Sequence, residues 1–311
     1  MSGLRTAAVV IGARGFVGRH VVAALRAAGA PVIAVSRSNT ADLGVTLCRA
    51  AVVFYLAGAV TPQTAESAPD QVRAEHSAFT ELLASCSRHG TLPTLVLASS
   101  GGTVYDSAAP APYAETTPTR PTTAYGCARL ALEQAALAAT GAARPLVMRL
   151  SNVYGPGQRP HDGFGVIAHW LEAARSGGQP VLYGDPDVAR DYVFVGDVAS
   201  ALVAVWTRRE ELADACPLIL NVGSGVPTSL SLVFRAVCAA VGRDLSLTAA
   251  PARGFDRPDV WLDIAKADDT LGWRPAVPLG EGVMRTWRAL SAAEPALLNP
   301  RLPVIKGSWP Q

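Results

Sequence analysis

Residues 6–20 read Thr-Ala-Ala-Val-Val-Ile-Gly-Ala-Arg-Gly-Phe-Val-Gly-Arg-His. An apolar run ends at Ile11, glycines follow at 12, 15 and 18, and apolar residues then recur at helical spacing at Val21, Val22 and Leu25. This is the pattern of a buried strand, a tight turn and a helix. Glycine at the first position allows a sharp turn, at the second a close approach of backbone to a pyrophosphate, and at the third close packing of helix on sheet. The helix N-terminus adds partial positive charge. Gly12, Arg14, Gly15, Phe16, Val17 and Gly18 are therefore the candidate phosphate-cradling residues.

Outward from this turn, Pro31–Val35 reads as a second strand and completes a β-α-β unit. Apolar runs at Ala51–Ala57, Leu95–Ala98 and Pro145–Leu150 read as further buried parallel strands, with helices expected over Gln71–His89 and Ala124–Ala139. The fold class expected is α/β, a doubly wound parallel (Rossmann) sheet. Between Val35 and Ala51 only residues 36–50 are available, whereas two crossovers and the strand between them need about 30 residues. One helix–strand unit is therefore expected to be missing, at the outer edge beyond the second strand. After Leu150 the chain turns to Gly- and Pro-rich loops such as Tyr154-Gly-Pro-Gly157 and Tyr183-Gly-Asp-Pro186, which imply a smaller C-terminal α/β lobe. The expected organisation is a dinucleotide-binding domain over 1–151 with a return segment around 190–224. The substrate-binding lobe and C-terminal tail take 152–189 and 225–311.

The 311 residues are 50% hydrophobic and 17% charged, the balance of a compact enzyme rather than a solvated tail. A net charge of +2 and dispersed tryptophans give no footprint for nucleic acid. The five cysteines form no CxxC pair, so neither a disulfide framework nor a zinc site is indicated, and a reducing cytoplasm is the expected compartment. No stretch has the length of a membrane span, and no histidine pairs with acidic neighbours at metal-ligand spacing. Of the 27 cationic residues only Lys266 and Lys306 are lysines.

At the end of the second strand a NAD-type site would carry an acidic residue for the ribose hydroxyls, but the chain has Ser36-Arg37-Ser38. Serine and arginine suit a 2′-phosphate, and Arg14 could add a second positive group, so NADP(H) is expected over NAD. Further on stand Ser99-Ser100-Gly-Gly-Thr103-Val-Tyr105 and Tyr125-Gly-Cys-Ala-Arg129. Four-residue spacing puts Tyr125 and Arg129 on one helix face, where the cation favours phenolate and lets the tyrosine exchange a proton with a substrate oxygen.

These segments, with Tyr55-Leu-Ala-Gly58, Arg149-Leu-Ser-Asn-Val-Tyr-Gly-Pro-Gly157, Arg190-Asp-Tyr-Val-Phe-Val-Gly-Asp197, Asn221-Val-Gly-Ser224 and Leu271-Gly-Trp-Arg-Pro275, make the whole chain resemble the extended short-chain dehydrogenase/reductases. That is the NAD-dependent epimerase/dehydratase group, which acts on nucleotide sugars. The resemblance implies that Tyr125 is the general acid/base and that Arg129 stands where the family has lysine. A planar guanidinium keeps that charge but changes its geometry. The family's carbonyl-polarising hydroxyl falls on Gly101, leaving Thr103 or Ser100 as its replacement, with Thr103 favoured. Leu56, Ala57, Gly58 and Ser99 join the cofactor-binding set. Asn152, Arg190 and Arg253 match positions that hold the substrate diphosphate in relatives. Asp197 reads as the N-cap of a helix that begins at Val198.

The activity implied is NADPH-dependent reduction of the 4-keto group of a nucleotide-activated (NDP or dTDP) deoxysugar. The alternatives are an NAD-dependent nucleotide-sugar 4-epimerase and a non-catalytic NADP-binding protein. The resemblance also implies a homodimer packed through the two long helices. Neither nucleic acid nor membrane is an expected partner.

Overall fold

A computed structural model describes residues 6–36, 43–58, 60–160, 165–252 and 259–292. The first half runs β1 (Ala7–Ile11), α1 (Phe16–Ala27), β2 (Val32–Val35), α2 (Leu43–Cys48), β3 (Ala50–Tyr55), α3 (Pro62–Ser67), α4 (Pro69–Arg88), β4 (Thr94–Ser100), α5 (Ala124–Ala138) and β5 (Arg144–Leu150). Then come β6 (Asn152–Tyr154), α6 (Val166–Arg175), β7 (Val181–Tyr183), β8 (Ala189–Arg190), β9 (Tyr192–Phe194), α7 (Val195–Thr207), α8 (Arg209–Ala215) and β10 (Leu218–Val222). The last elements are β11 (Thr228–Ser229), α9 (Leu230–Val241), β12 (Thr248–Ala250), α10 (Ala265–Leu271) and α11 (Leu279–Ala292).

Six strands form one sheet in the order β10-β5-β4-β3-β1-β2, every pairing parallel. Both faces are covered, as a parallel sheet requires. Successive side chains of one strand point to opposite faces, and the strands divide accordingly. Ala8, Val10, Val52, Phe54 and Val96 pack with α1 and α7 through Val21, Leu25, Leu202 and Val205. Val9, Val53, Leu95 and Leu97 pack on the other face with Phe79 and Leu82 of α4 and Leu132 and Ala136 of α5. The expected Rossmann α/β architecture is present.

Between β2 and β3 the described residues contain the six-residue α2 and no strand; β2 is the outermost strand and β3 pairs directly with β1. The chain thus crosses from one edge to the sheet centre in a single short step, as the segment's length demanded. Beyond β5, a third apolar cluster gathers Trp170 and Leu171 of α6, Val233 and Val237 of α9, and Val283 of α11. A fourth, smaller one joins Val104, Tyr105 and Tyr113 to Val260 and Leu262. β10 returns to the main sheet beside β5.

Asp197 corrects the sequence expectation. The helix starts at Val195 with Phe194 as N-cap, so Asp197 lies inside its first turn. Its carboxylate instead accepts from Val277 N–H at 3.0 Å and ties the segment before α11 to α7. The strand expected to run to Ala57 ends at Tyr55, although Leu56 N–H still donates to Ile11 at 2.9 Å.

Candidate functional site

The C-terminal ends of β1, β3, β4 and β5 open on one edge of the sheet, where open α/β sheets place their ligands. Gly12 has φ +88°, and a β-carbon there would lie 2.6 Å from Ala57 N and 2.7 Å from Leu56 C. A β-carbon on Gly18 would lie 2.2 Å from Gly12 O. The turn therefore folds against Leu56–Ala57 and under α1 only because neither glycine has a side chain. Gly15 caps α1 without a side-chain hydrogen bond, and Arg14 beside it is exposed. Phe16, Val17 and Gly18 form the first turn behind it. A backbone cradle at an uncapped helix N-terminus fits a dinucleotide pyrophosphate. Ser36 closes β2 next to this turn, and Gly12 and Ala13 both donate to Val35 O at 3.1 and 3.2 Å. Arg37 and Ser38 lie outside the described residues.

Tyr125 sits in the first turn of α5, whose N-cap Thr123 accepts from Gly126 N–H at 3.1 Å. A β-carbon on Gly126 would lie 2.5 Å from Thr103 O, so the start of α5 and the loop after β4 meet without a spacer. The Thr103 hydroxyl is buried with no hydrogen-bond partner. Ser100 ends β4, and its carbonyl accepts from Thr103 and Val104 N–H, each at 3.3 Å. Gly101 lies between them, against Leu262. The Ser99 hydroxyl donates to buried Glu133 at 2.5 Å. Glu133 in turn holds Arg149 through Nε and Nη2.

Arg129 lies one helical turn beyond Tyr125, its guanidinium carbon 5.2 Å from the Tyr125 ring centroid. Its Nη2 donates to Glu75 of α4. The second Glu75 oxygen accepts from Val60 N–H at 3.2 Å. Gly58 lies above both, since a β-carbon there would be 3.8 Å from Arg129 Nη1 and from Glu75 Oε1. Burial raises the Tyr125 phenol above its ordinary 10.0, Arg129 opposes that and Glu75 adds to it. Tyr55 at the end of β3 is pushed up to about 12, by burial and then by Glu75, with Arg129 opposing. Glu75 belongs to this group although no motif marks it, because its partner is 54 residues away in sequence.

The expected diphosphate residues are more dispersed. Asn152 spends its side-chain amide on Asp191 O at 2.9 Å. Arg190 donates from Nη1 to Ala189 O at 3.0 Å, and its strand bridges Thr228 on one side and Val260 on the other. Its neighbour Asp191 is instead a buried clasp, accepting from Ser224 N–H and hydroxyl at 2.7 Å each, from Gly225 N–H at 3.1 Å and from Leu262 N–H at 3.3 Å. Arg253 lies outside the described residues. Among the described residues no group of three or more His, Cys, Asp or Glu could hold a metal ion, and no helix is long and apolar enough to cross a membrane.

Residues 8–223 match the NAD dependent epimerase/dehydratase family. The chain is 32% identical over 241 residues to a UDP-glucose 4-epimerase of Mycolicibacterium smegmatis, covering 76% of this chain and 74% of that one. It is 34% identical over 186 residues to a dTDP-6-deoxy-L-talose 4-dehydrogenase (NAD(P)+) of Kitasatospora kifunensis, covering 58% and 57%. Among solved structures it resembles the UDP-glucose 4-epimerase of Thermus thermophilus in complex with NAD, with a TM-score of 0.79, 28% identity, and coverage of 92% of this chain and 99% of the other.

Proposed function

Because the chain belongs to the NAD dependent epimerase/dehydratase family, we propose that it reduces the 4-keto group of a nucleotide diphosphate-linked deoxysugar with NADPH. The observation that carries this reading is the acid at the sheet edge. Tyr125 is half-buried, desolvation raises its phenol above the ordinary 10.0, and the Thr103 hydroxyl, which has no hydrogen-bond partner, lies on the loop that meets the start of its helix. A ketone reductase needs an acid that can protonate the carbonyl oxygen, whereas alcohol oxidation, the first half of a 4-epimerisation, needs a base.

Bound NADPH supplies a hydride to the C4 carbonyl carbon. The protein supplies the rest. Thr103, or Ser100 beside it, donates a hydrogen bond that polarises the carbonyl. Tyr125 passes its phenolic proton to the oxygen as the carbonyl becomes an alcohol, and Arg129 holds the resulting phenolate until water returns the proton. The glycine turn at 12–18 and Leu56–Gly58 cradle the dinucleotide, with Ser36, Arg37, Ser38 and Arg14 toward the 2′-phosphate. Arg190, Arg253 and Asn152 would bind the substrate diphosphate, Asn152 after giving up its bond to Asp191 O. The lobe after β5 binds the nucleotide sugar, and α4 with α5 forms the contact of a homodimer in the cytoplasm.

The 4-epimerase reading is favoured by the relatives named UDP-glucose 4-epimerase, one of which is solved with NAD. The purified protein separates the two. A dinucleotide that survives gel filtration and has the mass of NAD supports the epimerase. Protein that emerges empty and binds added NADPH more tightly than NADH supports the reductase. Tyr125→Phe should bind NADPH normally and lose about 10²- to 10⁴-fold in turnover. Tight NADPH binding without turnover of any nucleotide sugar would leave a binding protein.

A further inference from the structure

Glu75 is a buried carboxylate that the chemistry above does not use. Its side chain is 7% exposed and that of Arg129 5%. One carboxylate oxygen accepts from Arg129 Nη2, and the other accepts from Val60 N–H. Replacing a buried ion pair by apolar residues of similar volume is often neutral or stabilising, so stability alone gives no reason for a carboxylate here. Its electrostatic effect is specific. An isolated guanidinium 5.2 Å from the Tyr125 ring would draw the phenol toward phenolate. With a carboxylate bonded to it, the tyrosine faces a neutral pair whose field is that of a dipole.

The other charged groups near this turn are few. α3 contributes Glu66, which accepts from Ala124 N–H at 3.0 Å. β3 contributes Tyr55, a neutral phenol through neutral pH. Arg73 and His76 of α4 rim a groove of about 310 Å³ between α4 and α5, to which Glu75 and Arg129 also contribute. Glu133 and Arg149, from α5 and β5, neutralise each other. Among the described residues, Arg129 and Glu75 are the charged groups that act on the Tyr125 phenol, and they act in opposite directions.

We propose that Glu75 is a positioning residue that cancels the charge of Arg129 at Tyr125 and so biases the tyrosine toward its proton-donating form. The inference rests on the reading of Tyr125 as the proton donor. In that step the phenolic O–H bond breaks, the proton goes to the carbonyl oxygen as hydride adds to the carbon, and the phenolate regains its proton from water. With Arg129 unopposed the tyrosine would ionise at lower pH, and reduction would fall off at lower pH.

The test is a titration of Tyr125 by tyrosinate absorbance in the full chain, assigned among the seven tyrosines by subtracting the same titration of the matching Tyr125→Phe protein. Glu75→Gln should shift Tyr125 ionisation to lower pH, raising the phenolate fraction about tenfold at a given pH below the midpoint, a shift of about one pKa unit. Its pH profile for reduction should fall off correspondingly earlier. Arg129→Met should shift the titration the other way. The double variant Glu75→Gln/Arg129→Met, which strands no buried charge, should titrate within a few tenths of a unit of the wild type. If the double variant instead rises as far as Arg129→Met, or Glu75→Gln leaves the titration in place, Glu75 does not cancel Arg129 and the proposal fails. The titration needs no substrate. A shift seen without turnover would therefore refute the reductase reading and leave the charge cancellation standing.

Discussion

Gly101 and Leu262 face each other so closely that a β-carbon on the glycine would lie 2.7 Å from Leu262 Cδ1, 2.9 Å from Cδ2 and 3.2 Å from the carbonyl oxygen of Arg149. Leu262 is buried in the small cluster that joins Val104, Tyr105 and Tyr113 to Val260. A side chain at position 101 has no room beside Leu262. Gly101→Ser should therefore destabilise the protein by about 1–3 kcal/mol, as overpacking does, without restoring a useful hydroxyl. Denaturant unfolding of Gly101→Ser and of Gly101→Ser/Leu262→Ala checks this, since the second change makes the room the first one lacks. Equal loss in both proteins would show that the contact is not the cause.

In the proposed reduction the polarising hydroxyl is that of Thr103 or Ser100, and the two differ in their surroundings. The Thr103 hydroxyl is buried and unbonded. Thr103→Val, which keeps the shape, should lower kcat by about 10²-fold while leaving NADPH affinity unchanged, in line with the loss of one donor to a developing oxyanion. Ser100→Ala should stay within about threefold of wild type. The reverse ranking in steady-state kinetics would assign the role to Ser100.

Glu133 is the centre of a buried network, accepting from Ser99 at 2.5 Å and from Arg149 Nη2 at 2.6 Å, while the Arg149 guanidinium lies 4.7 Å from the Tyr105 ring centroid. Glu133→Ala would leave the guanidinium buried without its partner, a loss of about 3–5 kcal/mol. Urea unfolding should show it as a lower midpoint with unchanged slope. A loss below about 1 kcal/mol would mean that water or a rearranged Tyr105 replaces the carboxylate.

Alkaline pH should weaken the fold through its buried phenols. Tyr55 is 4% exposed and ionises at about 12 in the folded chain, against its ordinary 10.0 when unfolded. Protons therefore leave the unfolded chain first. The stability due to the neutral phenol is complete below about pH 10 and is lost as pH rises from there through 12. Tyr55 alone accounts for roughly 3 kcal/mol of that loss, from a two-unit shift. Stability measured against pH should have a shallower alkaline slope in Tyr55→Phe than in wild type, and parallel slopes would contradict this.

The architecture was legible because its signals are local. The glycines at 12, 15 and 18 announce the turn, the apolar runs of β1 and β3 mark buried strands, and the short 36–50 segment pointed to a missing helix–strand unit. Tyr125 and Arg129 were legible as a pair for the same reason, one helical turn being a local spacing. What escaped are contacts between residues distant in sequence. Nothing around Glu75 marks it as the partner of Arg129, and nothing around Asp191 shows that its carboxylate gathers N–H groups from Ser224, Gly225 and Leu262. Asp197 was misplaced because a helix start at Val195 follows from the turn out of β9, not from the preference of aspartate for caps. The Glu75–Arg129 pair joins residues 54 apart in sequence and so emerged only with the fold.

The most direct measurement of the central claim follows nicotinamide absorbance when the purified protein is mixed with NADPH and a nucleotide-linked 4-keto-6-deoxysugar, with Tyr125→Phe alongside. The account predicts oxidation of NADPH in step with appearance of the 4-hydroxy sugar nucleotide, reduced about 10²-fold or more in the variant. Interconversion of a 4-hydroxy nucleotide sugar with its epimer without added cofactor, together with no consumption of NADPH, would contradict it.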